Sequence, residues 1–295
     1  MTVKEHMRKT IADCLAAGII FTAFAAVAAE PAYDTLIAHR GESVDAPENT
    51  LPAYETAVER GFGFECDVYL SKDGRVFTCH DSDLRRVTGG ANTNRATNVT
   101  WDELSKVNVA SSAKWKGTRF DPTRPALLEE VLALARDGRW IYVEVKRNSG
   151  VKIVPYIKKV FDAQKAATPK NTLFISFDGR ICRELKKQMP GYKVLFINRT
   201  YTAKGYERHK DPQKLIEDLR NMGVDGVDAP FYNKKLIAYQ TPDYIKTVKD
   251  AGFEYHVWTC DTIEQVETAF ARGVQAVATN CAKKMLEEHL ANKGR

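Results

Sequence analysis

The chain has 295 residues, 44% of them hydrophobic and 28% charged, with a formal net charge of +6. Those values exclude a disordered, collagenous or small disulfide-dense protein, and the length permits one large domain or two small ones. A mildly basic balance suits an anionic substrate or surface, but no basic stripe with interleaved aromatics occurs, so nucleic acid is not an expected partner.

The first thirty residues differ in kind from the rest. Lys4, Arg8 and Lys9 precede a run from Cys14 to Ala29 that carries no charge, and Val27-Ala28-Ala29 closes it before Glu30 and Pro31. A basic start, a short apolar stretch and small residues before a polar turn read as a secretory signal peptide over residues 1–29, cut after Ala28 or Ala29. An uncleaved anchor is the alternative, but the run is short of the roughly 20 residues that span a bilayer. Export to a periplasmic or extracellular location is therefore expected, with no transmembrane segment in the mature chain. Residues 30–295 then have a length close to the roughly 250 residues of a typical (β/α)8 barrel.

From there on, short β-branched runs alternate with stretches of helical period. The expected strands are Thr35–His39, Phe64–Tyr69, Trp140–Lys146, Leu173–Phe177, Lys193–Ile197, Gly226–Ala229, Tyr255–Thr259 and Ala276–Thr279. The expected helices are Leu51–Arg60, Leu127–Arg136, Ile153–Gln164, Arg180–Met189, Pro212–Met222, Pro242–Ala251, Ile263–Arg272 and Ala282–Ala291, with apolar residues at three- and four-residue spacing. Glycines at 61, 138, 191, 223, 252 and 273 punctuate their ends, where a left-handed cap favours glycine. Eight such units with nearly continuous apolar strands predict a parallel sheet covered by helices and closed into a TIM barrel. A doubly wound open sheet would want a glycine-rich turn after its first strand, and none is present.

One unit departs from the pattern. Ser71-Lys72-Asp73-Gly74-Arg75 signals a hairpin, a return strand Val76–Cys79 follows, and the next helix starts only near Leu127. Residues 81–126 are therefore an insertion between the second strand and its helix, expected on the catalytic face.

Residues two apart in a strand share a face. Glu65 and Asp67 are so related, as are Glu144 and Lys146, near the C-terminal ends of otherwise apolar strands. Buried charge is costly unless paired or bound to metal, and three carboxylates at one barrel mouth make a hard oxygen site suited to one Ca²⁺ or Mg²⁺. Ion pairing with Lys146 or Arg40 is the structural alternative. His39 ends the first strand and His80 ends the hairpin, which places both as acid/base candidates beside the carboxylates. Arg40 and Lys146 add fixed positive charge for phosphate oxygens, and Trp258, two after His256, offers an apolar wall. Glu48-Asn49-Thr50 is sufficiently explained as a helix start, with Asn49 or Thr50 as N-cap. The five cysteines after the leader are expected free and buried, although Cys66 and Cys79, on neighbouring strands, are a candidate disulfide in an oxidising compartment.

Taken together, Ile37-Ala38-His39-Arg40-Gly41, Pro47-Glu48-Asn49-Thr50, Glu65-Cys66-Asp67-Val68, and Asp73-Gly74 leading to His80-Asp81 closely resemble the glycerophosphodiester phosphodiesterase family. Glu144-Val145-Lys146, Ser176-Phe177 and Val257-Trp258-Thr259 follow in the expected order, so the resemblance covers essentially the whole chain after the leader. It implies a TIM barrel with a small inserted subdomain, and hydrolysis of a small-molecule glycerophosphodiester to sn-glycerol 3-phosphate and an alcohol. By position it implies metal ligation by Glu65, Asp67 and Glu144, acid/base roles for His39 and His80, phosphate contacts from Arg40 and Lys146, a substrate wall at Trp258 and a supporting role for Glu48. Two positions depart from the family pattern. Asn280 stands where the family usually has an acid, and Cys79 stands where a bulky apolar residue is commoner. Neither is expected to touch the chemistry, and Asn280 is expected to bear on barrel closure or pocket polarity. A phosphodiesterase acting on lysophospholipid or a glycerol-phosphate wall polymer, and a non-catalytic barrel binding a phosphorylated ligand, are the rival functions.

Overall fold

The computed structural model describes residues 35–198, 200 and 202–293. The leader read at residues 1–29 lies outside them. Among the described residues, no helix is long and apolar enough to cross a membrane.

Nine strands form one sheet: β1 (Leu36–Ala38), β2 (Gly63–Leu70), β3 (Val76–Thr78), β4 (Ile141–Val145), β5 (Thr172–Ser176), β6 (Lys193–Ile197), β7 (Gly226–Pro230), β8 (Glu254–Trp258) and β9 (Ala276–Thr279). Eight are parallel and close into a barrel, because β1 pairs with both β2 and β9. β3 is the hairpin return, antiparallel to the upper half of β2 with Val68 opposite Thr78. The eight expected strands are all present, each within a residue or so at either end.

Two apolar layers follow from the period-two alternation of the strands. Leu36, Ala38, Phe64, Cys66, Val68, Ile141, Val143 and Val145 face outward into a core shared with the helices. Ile37, Tyr142, Leu173, Ile175, Leu195, Ile197, Ala276 and Ala278 face inward and fill the barrel. Glu65, Glu144 and Asp228, on the inward register of β2, β4 and β7, are carried toward the barrel mouth, whereas Glu254 and His256 of β8 line a separate pocket with residues from the strand starts.

The helices deviate more than the strands. The one predicted over Leu127–Arg136 is only Leu128–Leu132, although Ala135 beyond it is still buried in the same core. Short helices at Trp101–Leu104, Ala203–His209 and Lys234–Tyr239 had no period long enough to read. Of the six punctuating glycines, all but Gly191 have positive φ.

The insertion after β3 has its own small apolar cluster, in which Leu84, Ala96, Val99 and Leu104 pack on Tyr69, Phe77, Cys79 and Leu127. Its short helix starts with a capping box between Thr100 and Glu103. The candidate disulfide is not made. Both cysteines are free, Cys66 packing outward against the helices and Cys79 into the cluster under the insertion.

Candidate active site

The site is assembled from the ends of adjacent strands. Asp67 on β2 lies in register with Glu144 on β4, and Glu65 is one inward step below Asp67. Ligand atoms of Glu65, Asp67 and Glu144 fall within 4.8 Å of one another, all three residues being buried. Three carboxylates in so small a volume repel strongly, and their surroundings divide the charge unequally. Burial, then Asp67 and Glu144, push the Glu65 carboxyl well above the usual carboxylate range. Burial also raises Glu144, outweighing its contact with Lys146. Asp67 goes the other way: against the burial penalty, Lys146, His80 and Arg40 hold it well below the ordinary range.

The fixed cations serve these acids directly. Lys146 Nζ donates to Asp67 Oδ1 at 2.8 Å and lies 2.7 Å from Glu144 Oε1. The Arg40 guanidinium donates to Glu48 at 3.0 Å, and its Nε lies 3.5 Å from Asp67 Oδ2. The ion pairing weighed as an alternative to metal binding is thus present, yet it does not exhaust the acids. Glu65 accepts a 2.8 Å hydrogen bond from the Arg40 backbone N–H through Oε2, while its buried Oε1 has no partner. An unsatisfied buried carboxylate oxygen beside two other carboxylates has the donor chemistry that a hard divalent cation takes, so the residues fit such an ion.

The backbone is bent to make this geometry. Arg40 and Asn49 have φ of 61° and 56°, in the left-handed region that L-residues seldom occupy. Gly41 follows at φ 78°, where an added Cβ would meet Ala53 at 2.6 Å. This tight loop after β1 turns the Arg40 N–H onto Glu65.

Of the two cap candidates in the Glu48-Asn49-Thr50 run, Asn49 is not the one used. Thr50 occupies the N-cap position without a side-chain cap bond, its hydroxyl donating instead to Pro47 O. The Asn49 amide donates to Asp67 Oδ2 at 2.7 Å and accepts from both Asp67 N–H and Tyr54 O–H at 2.9 Å. It is a clamp on a carboxylate of the acid cluster.

A pocket at the barrel mouth is lined by His39, Arg40, Glu65, His80, Glu144 and Trp258, together with Tyr142, Ile175, Phe177, Ile197, Asp228 and Ala278. Asp67, Lys146 and Glu48 stand behind that surface. The His39 ring is held neutral, its pKa lowered to about 4 by burial and then by Arg40, and its Nε2 lies 3.9 Å from Glu65 Oε2. His80 Nδ1 is 2.7 Å from Asp81 Oδ1. Trp258 meets Phe177 edge-on with ring centroids 5.8 Å apart, and its buried indole N–H has no partner.

Arg86, Asp228 and Asp261 escaped the sequence reading, and Asn280 was noticed without its partner. Arg86 of the insertion donates to both Glu48 oxygens, at 2.7 and 2.8 Å, and to Asp81 at 2.6 Å, so it ties the loop of His39 to that of His80. Asp228 is an inward acid on β7 whose carboxyl burial pushes well up; its place two before Pro230 in an apolar strand was a readable signal. Asn280 was expected not to touch the chemistry; its Oδ1 is 2.7 Å from Nδ1 of His39, an acid/base candidate. Asp261 holds Asn280 in turn. Asn280 follows Thr279, the partner of Ala38, so β1–β9 pairing brings residues 39 and 280 together.

Residues 39–284 match the model of the glycerophosphoryl diester phosphodiesterase family. The chain is 28% identical over 262 residues to the glycerophosphodiester phosphodiesterase of Caldanaerobacter subterraneus subsp. tengcongensis, covering 88% of this chain and 98% of that protein. It is 30% identical over 246 residues to glycerophosphodiester phosphodiesterase 1 of Homo sapiens, covering 78% of this chain and 72% of that one. An Oleispira antarctica phosphodiesterase solved with the product sn-glycerol-3-phosphate superposes with a TM-score of 0.71 at 22% identity, over 86% of this chain and 95% of that one. A Thermotoga maritima glycerophosphodiester phosphodiesterase gives 0.65 at 23%, over 87% and 97%. Those two structures share the fold.

Proposed function

Because the chain belongs to the glycerophosphoryl diester phosphodiesterase family, we propose that it hydrolyses small glycerophosphodiesters to sn-glycerol 3-phosphate and an alcohol, using His39 and His80 as the proton-transfer pair. The observation that carries this reading is the convergence of both histidines on one pocket with an unsatisfied buried carboxylate at its wall. Glu65, Asp67 and Glu144 would hold one divalent cation, Ca²⁺ or Mg²⁺, which when bound neutralises phosphate charge and makes phosphorus more electrophilic.

The chain's own residues supply the rest. One histidine takes the proton of the attacking hydroxyl, either water or the substrate's glycerol 2-hydroxyl, while the other protonates the departing alkoxide. Arg40 lines the pocket with a planar guanidinium matched to phosphate oxygens. Lys146 balances the acid cluster from behind. Trp258 and Phe177 give an apolar wall against the glycerol carbons, and the unpartnered indole N–H and the Asp228 carboxyl offer hydrogen bonds to its hydroxyls.

The test is phosphorus NMR of the protein with glycerophosphocholine and a panel of other glycerophosphodiesters, after chelation and with Ca²⁺ or Mg²⁺ restored. Appearance of sn-glycerol 3-phosphate only with metal supports the proposal. Absence of turnover on every diester with either ion supplied refutes it.

A further inference from the structure

We propose that Asn280, oriented by Asp261, is a positioning residue that fixes the tautomer of His39, so that the ring presents an unprotonated Nε2 to the pocket and His39 is the proton acceptor of the pair. The inference rests on the reading of His39 and His80 as the two proton-transfer groups, and it deepens that reading by giving each a direction.

The argument is one of donors and acceptors. A carboxylate can only accept hydrogen bonds. Asp261 accepts from the Asn280 backbone N–H at 2.8 Å, from the Thr279 hydroxyl at 3.1 Å and from Asn280 Nδ2 at 2.7 Å. The two ends of an asparagine amide are alike in shape, and only their partners tell them apart. Here the partner is decisive: the end facing Asp261 must be the NH2 group. The end facing His39, 2.7 Å from Nδ1, is therefore the oxygen. An oxygen at that distance requires a donor, so Nδ1 carries hydrogen. A neutral imidazole has one N–H, which leaves Nε2 with its lone pair on the side of Glu65, 3.9 Å away.

The second histidine has a different partner. His80 Nδ1 faces the Asp81 carboxylate at 2.7 Å, and Asp81 is itself held by Arg86 at 2.6 Å. His80 thus faces a carboxylate where His39 faces an amide oxygen. The two rings lean on unlike groups, and the lone pair left on His39 Nε2 makes that ring the one placed to receive a proton. In the step assigned here, the attacking oxygen bonds to phosphorus and its proton moves to His39 Nε2. The bond from phosphorus to the departing oxygen breaks, and that oxygen takes a proton from His80. Water then restores both rings, and no further reactant is needed.

The test uses the full-length protein with nitrogen-labelled histidine, the His39 signals being assigned by comparison with His39→Gln. The wild-type ring is expected as the Nδ1–H tautomer, and finding hydrogen on Nε2 of the neutral ring overturns the proposal whatever the activity. Asn280→Ala is expected to lower kcat on the order of 10–100-fold or more with KM little changed, the scale of losing the partner that orients an imidazole. Retention of kcat within about threefold overturns the proposal. Asp261→Asn frees the Asn280 amide to turn and is expected to lose kcat similarly, although residue 261 does not line the pocket. The double variant Asp261→Asn/Asn280→Asp restores an oxygen toward Nδ1 with a donor behind it, and is expected to recover most of the loss. A purely structural role predicts no such recovery, and its absence in a folded double variant refutes the assignment. Failure of the hydrolase reading itself would show separately, as wild-type protein with no turnover.

Discussion

Replacing Asn49 by glycine tests how much of the acid cluster is held by a neutral residue. The side chain makes three buried hydrogen bonds, with Asp67 Oδ2, the Asp67 N–H and the Tyr54 hydroxyl. Asp67 and Tyr54 are both fully buried, so the three groups have no easy recourse to water. Leaving a buried polar group unpaired costs about 1–3 kcal/mol. With some relaxation the loss should be about 3–5 kcal/mol, a large part of the total stability of an ordinary domain. Glycine is chosen because it adopts the φ of 56° freely, and Asn49→Ala should lose roughly 1–2 kcal/mol more through the left-handed strain alone. Urea unfolding in the presence of a chelator reads the stability difference. Calorimetric titration of Ca²⁺ and Mg²⁺ reads the second consequence, a loosened Asp67 and metal affinity lower by about 10–100-fold. A stability loss under about 1 kcal/mol for Asn49→Gly would refute the clamp and return the residue to its bland role at a helix start.

Further expectations follow from the same geometry. His39→Ala or His80→Ala should reduce turnover by about 10²–10⁴-fold with the fold intact, and a variant keeping more than about a tenth of wild-type activity removes that histidine from the chemistry. In metal-free protein the Glu65 carboxyl keeps its proton when folded and releases it when unfolded above about pH 4.3, so stability falls as pH rises from there toward the raised folded value. Glu65→Gln should therefore be more stable than wild type in chelator at neutral pH, with the gain vanishing as pH drops to about 4; urea midpoints across pH check this, and an unchanged difference contradicts it. Trp258→Ala should raise KM more than it lowers kcat, because it removes a wall and an indole donor but no proton carrier; a pure kcat defect would be the wrong outcome. Export by the leader predicts a mature chain beginning at Ala29 or Glu30, read by N-terminal sequencing of secreted or periplasmic protein, and an intact Met1 terminus there would oppose it.

How much of this was legible beforehand divides along one physical line. The barrel was legible from eight successive strand–helix units, and the alignment of Glu65 with Asp67 and of Glu144 with Lys146 follows from period-two alternation, a local property that one-dimensional order carries in full. His39 and His80 were legible for the same reason, as polar residues ending apolar strands. Hydrogen-bond partners were not. The Glu48-Asn49-Thr50 run looked like a cap because local spacing favours that reading, whereas the Asn49 amide is committed to a carboxylate eighteen residues away. Arg86 joins Glu48 and Asp81 only because the insertion carries it between the two loops. Asn280 reaches His39 across 241 residues, because closing the barrel sets β9 beside β1. Which side chains point into the barrel was written in the chain, since that depends on alternation along each strand. Which of them pair by charge or hydrogen bond was settled by the fold, since that depends on strand neighbours and loop crossings that local order does not encode.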